Sequence, residues 1–353
     1  MAGSTALYCL ETGMKIAAPI SILDELEPVI AAGADEIYLG CVPEEWRLRF
    51  GPSGMSRRPM GNLDSIDSLK AAIDRAGALG ATVSLTLNQQ HYDKAQLDRI
   101  LEISRIFADS GGYAMIVADI GLMSALADIR LNVRIHVSSI AAVRNSQTAR
   151  FFQDQGADRI VFPRYLTLKD IELICANAPD MEYEAFVLND GCIFDEAVCH
   201  TIHLPGRVGG AICMDNYTAR HRRADERSLS ALEADLLRTN DQTYKRWAWH
   251  KFSCGFSTTE DGYPFGPCGL CAIPSLARAG IGTVKIAGRE FPTKRKVKSI
   301  EMVKRVLRRL ESGDDVARFA VGLRNRPDLC AEGHMCYYPD LLPDLGTVVE
   351  GSI

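Results

Sequence analysis

The sequence predicts an α/β fold, a (β/α)8 TIM-barrel-like domain with a cysteine-rich insertion after strand seven. One observation is a recurring unit of helix, glycine, short connection and apolar strand, as at Gly33-Ala34-Asp35, Gly80-Ala81, Gly156-Ala157-Asp158 and Gly280-Ile281-Gly282. A second is the count of eight apolar runs of strand length, most of them separated by amphipathic segments. A third is a single interval, 190–280, where the alternation stops. A doubly wound open sheet is the alternative, because alternation alone does not show closure.

The expected strands are 15–20, 36–41, 82–88, 113–118, 133–138, 158–163, 182–188 and 283–287. Their apolar runs read as parallel strands buried on both faces. Glycine before a strand lets the preceding helix end in a left-handed turn. Amphipathic stretches at 22–32, 66–76, 95–107 and 146–155 supply helices between them. Residues 1–189 thus carry strands one to seven and 190–280 the insertion. Strand eight and a closing helix fall in 281–312, and 313–353 forms a tail rich in Pro and Asp. In a barrel the insertion follows strand seven at the C-terminal face, where such enzymes keep their chemistry.

Composition narrows the function. Forty Lys+Arg stand against forty-five Asp+Glu over 353 residues, a net charge of −5, which excludes a globally basic nucleic-acid binder. No apolar run approaches the roughly 18 residues of a membrane span. Residues 1–15 lack the basic start and apolar stretch of a signal peptide. Eleven cysteines, an odd number in a large chain, disfavour a disulfide framework, and a cytoplasmic location is expected.

The insertion holds six of the eleven cysteines: Cys192, Cys199, Cys213, Cys254, Cys268 and Cys271. Soft thiolates grouped this way suit zinc or an iron–sulfur cluster, although the spacing is not that of a paired C-x-x-C ribbon. Cys9, Cys41 and Cys175 read as small core residues.

Ala18-Pro19, Gly33-Ala34-Asp35, Tyr38-Leu39-Gly40, Gly61-Asn62, Asn88, Val117-Ala118-Asp119, His136, Ser138, Asn145, Arg164, Glu184, Phe186 and Lys285-Ile286-x-Gly288-Arg289 follow one another in a characteristic order. Over roughly 15–305 the chain resembles the collagenase-like peptidases, family thirty-two of the unassigned peptidases. The resemblance implies a [4Fe–4S] cluster on Cys192, Cys199, Cys213 and Cys271. It also implies O2-independent hydroxylation of an aromatic or heteroaromatic ring, with prephenate as hydroxyl donor. The substrate is then a quinone-precursor-like small molecule or an RNA base, and the net charge tilts the choice toward the small molecule. A peptidase and a non-catalytic iron–sulfur subunit with a paralogous protein partner are the alternatives. Tyr165, Leu188 and Ala287 stand where the family usually has an acid, a histidine and a glutamate, so the substrate is expected to differ from the known branches. Cys254, Cys268, Cys330 and Cys336 are numerous enough for a second metal or cluster site.

Polar residues at strand C-termini converge on a barrel mouth. Arg164 and Arg289 are expected to bind an anionic donor, since a guanidinium grips both oxygens of a carboxylate. Asn88 and Ser138 join them as substrate-binding candidates. His136, Glu184 and Asp119 are the proton-transfer or orienting candidates, with Asp119 also placed to cap a helix near Leu122. The stretch from Tyr244 to Lys251 interleaves basic and aromatic residues, which suits either stacking on a base or packing of the loop on the barrel. No G-x-S-x-G, H-E-x-x-H or G-x-G-x-x-G motif is present.

Overall fold

The computed structural model describes residues 13–51, 55–192, 195–199, 220–250, 257–312, 315–324, 327–333 and 335–341. Eight parallel strands close into a barrel in chain order. They are β1 (Lys15–Pro19), β2 (Glu36–Leu39), β3 (Thr82–Leu87), β4 (Ala114–Val117), β5 (Arg134–Val137), β6 (Arg159–Val161), β7 (Glu182–Leu188) and β8 (Thr283–Ile286). The ring closes where Lys15, Ile16 and Ala17 of β1 pair with Thr283, Val284 and Lys285 of β8. The fold is therefore the (β/α)8 barrel that the alternation predicted.

The surrounding helices are α1 (Leu26–Ala32), α2 (Glu44–Phe50), α3 (Ile66–Ala78), α4 (Lys94–Asp109), α5 (Ile120–Ile129), α6 (Ser146–Asp154) and α7 (Leu168–Asn177). After them come α8 (Ala231–Trp249), α9 (Ile273–Arg278), α10 (Thr293–Glu311), α11 (Val316–Gly322) and α12 (Asp328–Ala331). Their starts are chemically marked. Asp93 and Gln96 form a reciprocal capping box on α4, and Thr167 and Asp170 form one on α7. Gly33 ends α1 with φ 117°, and its N–H donates to Ile30 O. A side chain there would also collide with Lys304, which lies across the turn.

The apolar core lies between strands and helices. It includes Leu26 and Val29 of α1, Leu69 and Ala72 of α3, Ile100, Ile103 and Phe107 of α4, and Val303 and Val306 of α10. Each fully buried large side chain there contributes about 1.5–3 kcal/mol relative to exposure. The barrel interior, by contrast, is polar. Arg159 of β6 reaches Glu36 of β2, a strand that is not its neighbour, so its side chain crosses the inside of the barrel.

Three features go beyond the sequence reading. A helix, α2, follows β2. The insertion contains α8, which buries none of its residues and begins with the Ser230–Glu233 capping box. The tail is not a loose appendage: α11 packs on the turn Leu270–Ala272, and the main chain pairs at Cys268 and Cys336. Tyr338 Oη donates to Phe186 O at 2.9 Å, Tyr337 Oη donates to Asn189 O, and Asp340 accepts from Leu168 N at 2.8 Å. Among the described residues, no helix is long and apolar enough to cross a membrane.

Candidate active site

Two polar layers fill the barrel. The inner layer centres on Arg159, whose Nη1 and Nη2 donate to the two oxygens of Glu36 at 2.5 and 3.0 Å. Nη1 also reaches Glu184 at 3.1 Å, and Nη2 reaches Glu182 at 3.1 Å. Lys285 donates to the other oxygen of Glu184 and lies 4.0 Å from the Tyr38 ring centre. Burial raises the Glu184 pKa, but Lys285 and Arg159 outweigh it and hold the carboxyl below its usual range. His136 sits edge-on to Tyr113 in the same environment. Burial, reinforced by the charges of Arg159, Arg134, Lys285 and Lys15, keeps its pKa well below normal, so the imidazole is neutral. Its Nε2 is buried without a hydrogen-bond partner among the described residues. His136 and Glu184 are thus held inside the barrel rather than at its rim.

Asp119 accepts from Leu122 N at 2.7 Å and caps α5, the structural role its position also allowed.

The outer layer forms the mouth, around Arg289. This side chain is 6% exposed; its Nη1 donates to Asn62 Oδ1 at 3.0 Å and Thr86 Oγ1 at 2.8 Å, and Nη2 donates to Ser56 Oγ at 2.6 Å. All three acceptors are neutral. Burial lowers the Arg289 pKa to about 10, so it keeps its charge at neutral pH. Gly40 makes the seat possible: a Cβ there would fall 1.9 Å from Asn62 Oδ1 and 2.3 Å from Arg289 Nη1. Beside it, the Arg57 guanidinium donates to the Cys199 carbonyl at 3.0 Å and to Gln90 at 3.4 Å, again neutral acceptors. Asn88 holds this loop by accepting from Arg57 N at 3.1 Å, and its amide reaches Ser138 Oγ at 3.5 Å.

The other two mouth arginines are neutralised. Arg58 pairs with Asp190 at 2.6 Å and with Glu290 at 3.6 Å. Arg164 pairs with Glu196 at 3.1 Å and stacks over Phe186 at 3.8 Å. Of the two arginines expected to bind an anion, Arg289 has no carboxylate partner among the described residues and Arg164 has one. Arg57, Ser56, Thr86 and Glu196 escaped the sequence reading. Gly61-Asn62 had entered it only as part of a pattern.

The cysteines fall into two groups. Cys192 and Cys199 are half-buried at the rim, where Tyr165 Oη donates to Cys192 O at 2.9 Å. Their thiols suit an iron–sulfur group in donor chemistry. Cys213 and Cys254, like Cys9, lie outside the described residues. Cys271 lies near Cys268, Cys336 and Cys330, and burial raises its thiol pKa. Among the described residues, no group of three or more His, Cys, Asp or Glu side chains could hold a metal ion.

Fold and site together define a (β/α)8-barrel protein with an arginine-lined mouth and a thiol-bearing rim after β7. The family model described as Peptidase family U32 matches residues 21–339, and the chain belongs to that family. It is 28% identical over 185 residues to tRNA hydroxylation protein P of Escherichia coli, covering 52% of this chain and 38% of that protein. The Helicobacter pylori protein of the same name is 29% identical over 186 residues, covering 53% and 42%. A 23S rRNA 5-hydroxycytidine synthase of Escherichia coli is 28% identical over 225 residues, covering 61% and 31%. The matched segments thus span less than half of these relatives. The solved structure of the U32 peptidase Mk0906 aligns with a TM-score of 0.41 and 16% identity, covering 53% of this chain and 70% of that one.

Proposed function

We propose that this protein takes part in O2-independent hydroxylation of an RNA base, using a carboxylate-bearing hydroxyl donor such as prephenate. The names of the relatives support RNA hydroxylation as the reaction class. They turn the substrate choice from the small molecule toward RNA. Net charge was a poor guide, because an average of −5 does not report the local excess of guanidinium groups at the mouth.

The observation that carries the reading is the pair Arg289 and Arg57, cations whose hydrogen bonds all go to neutral groups. Burying an unpaired cation is costly, and a bound dianion repays that cost. Arg289 grips one carboxylate, held in place by Asn62, Thr86 and Ser56. Arg57, positioned through Asn88, takes the second. Among the described residues the neutral His136 keeps an unpartnered Nε2 in the barrel below them, available to hydrogen-bond a water. The implied [4Fe–4S] cluster would be held at the rim by Cys192 and Cys199 among its ligands and would supply electron transfer.

The test is nucleoside mass spectrometry of tRNA and rRNA from cells lacking the gene and complemented with wild type or Arg289→Gln. A hydroxylated pyrimidine should vanish on deletion, return with wild type and not with the variant. Unchanged nucleosides on deletion, with cleavage of a quenched peptide by the pure protein, would overturn the proposal in favour of a peptidase.

A further inference from the structure

The stretch from Tyr244 to Lys251, with its interleaved basic and aromatic residues, suits either stacking on a base or packing on the barrel. The structure favours the first. α8 runs for 19 residues and buries none of them. Its half-buried side, with Glu233, Leu237, Asp241 and Ala248, faces the segment before it: Arg223 Nη1 donates to Glu233 at 2.5 Å, and His221 lies 3.2 Å from Asp241. On its solvent face Arg238, Gln242, Lys245 and Trp249 are all exposed. Their spacing, i, i+4, i+7 and i+11, sets them in one line along the helix.

We propose that this face of α8, flanked by Arg220 and Arg222, docks single-stranded RNA next to the base that is modified. The inference rests on the proposal that the substrate is RNA and names how that substrate is held. Charge carries it first. Arg220, Arg222 and Lys245 are exposed and have no carboxylate partner among the described residues. Glu226 apart, the acids of this region are already engaged: Asp225 and Glu233 by Arg223, Asp225 also by Arg227, Asp235 by Arg238 and Asp241 by His221. From Gln242 to His250 the sequence has no Asp or Glu, so the last turns of the helix are a positive strip on a chain of net charge −5. Cations without local carboxylates attract a phosphate backbone.

Aromatic exposure carries it second. Trp249 is 66% exposed and Tyr244 51%, with the Tyr244 and Trp247 rings 5.8 Å apart. Aromatic rings gain much from burial, yet Trp249 ends a line of cations and an amide instead of facing a core. Every base has a π-face that stacks on an indole, while Lys245 and the flanking arginines reach phosphates on either side. Position agrees with charge and exposure. The insertion leaves from β7 and returns where Cys268 bridges Leu188, the last residue of that strand. Arg246 pairs at 2.7 Å with Glu332 of the tail, which meets the same corner through Cys336. The docking face is thus fastened to the end of the barrel where the mouth opens. Leu232 and Leu236 are exposed as well, but they lie near the start of the helix, off the basic line.

The experiment uses the full-length chain purified without oxygen and a fluorescein-labelled single-stranded RNA of mixed sequence, with binding read by anisotropy over a salt series. Trp249→Ala should weaken binding roughly tenfold, the scale of one lost base stack, and Trp249→Phe should restore most of it. Lys245→Gln combined with Arg222→Gln should lower the salt slope by about 0.7 for each phosphate contact removed. These side chains are exposed, so far-UV circular dichroism and the unfolding midpoint should match wild type. Arg289→Gln, in the mouth, should bind the RNA as wild type does. Wild-type affinity in all the α8 variants, with a hydroxylated nucleoside still lost on gene deletion, would overturn docking at α8 and leave the hydroxylation reading intact. A wild type that binds no RNA would overturn it too, and unchanged nucleosides on deletion would then remove both. Variants that alter the mass seen by light scattering while binding RNA as before would make α8 a contact between copies of this chain instead.

Discussion

Glu184→Gln separates a structural carboxylate from a catalytic one. Glutamine preserves the shape of Glu184 but removes the charge shared by Arg159 and Lys285, all three buried. Breaking a buried ion pair by neutralising one member costs about 3–5 kcal/mol. Arg159 keeps Glu36 and Glu182, whereas Lys285 loses its ion-pair partner, so the lower end, about 3 kcal/mol, is expected. That is a large part of the roughly 5–15 kcal/mol stability of a typical domain. Urea unfolding followed by the fluorescence of buried Trp46 should show the midpoint falling accordingly. Because the folded Glu184 pKa is depressed, its contribution is complete above the unfolded value of about 4.3 and is lost as pH falls through the lower folded value. The gap between wild type and variant should therefore be full at neutral pH and close on strong acidification. A variant as stable as wild type at pH 7 but devoid of hydroxylation would refute this reasoning and make Glu184 a proton-transfer group.

Other residues give sharp expectations. Arg289→Gln removes a charge-assisted grip worth about 1.5–3 kcal/mol, so the donor concentration for half-maximal rate should rise roughly ten- to a hundredfold, with RNA affinity little changed; equal loss of both would refute an anion seat. Gly40→Ala drives a methyl into Asn62 and Arg289, and should raise the same half-saturation value without altering the far-UV spectrum. Asp119→Ala should cost about 1 kcal/mol of stability as a lost cap and leave turnover intact, measured by paired unfolding and rate assays. His136 is neutral when folded, so below an unfolded pKa of about 6.5 the unfolded chain takes up a proton that the folded one refuses. Stability should then fall by up to about 1.4 kcal/mol per pH unit on acidification, a slope that His136→Asn reduces.

The barrel was legible because its signals are local: a glycine that ends a helix and an apolar run that follows it. Closure was not, since pairing of Lys15 with Thr283 depends on residues at opposite ends of the barrel sequence. In the mouth, Arg289 was legible from its place after the last strand, but its value lies in what surrounds it. Asn62, Ser56 and Thr86 arrive from other connections, and no spacing announces that they are neutral partners. Arg164 looked equivalent in sequence and differs only because Glu196, thirty-two residues on, folds back to it. Glu184 sits near a strand end by count, yet Arg159 and Lys285 on its two flanking strands draw it inward. In the tail, no spacing or composition marks Tyr337 and Tyr338 as the residues that bond to the corner after β7 and to Phe186.

The corner after β7 belongs to two neighbourhoods at once. Asn189 and Asp190 both hold left-handed backbone, at φ 66° and 44°. Asn189 is held there by Pro267 from the insertion, by Ser299 and Arg295 from α10, and by Tyr337 from the tail. Asp190 in turn positions Arg58 in the mouth. In a mutational scan, damage at Tyr337 should therefore look like damage to substrate handling, although 148 residues separate it from the corner it supports. For anyone engineering specificity into this barrel, the far end of the chain is a tuning peg for its rim.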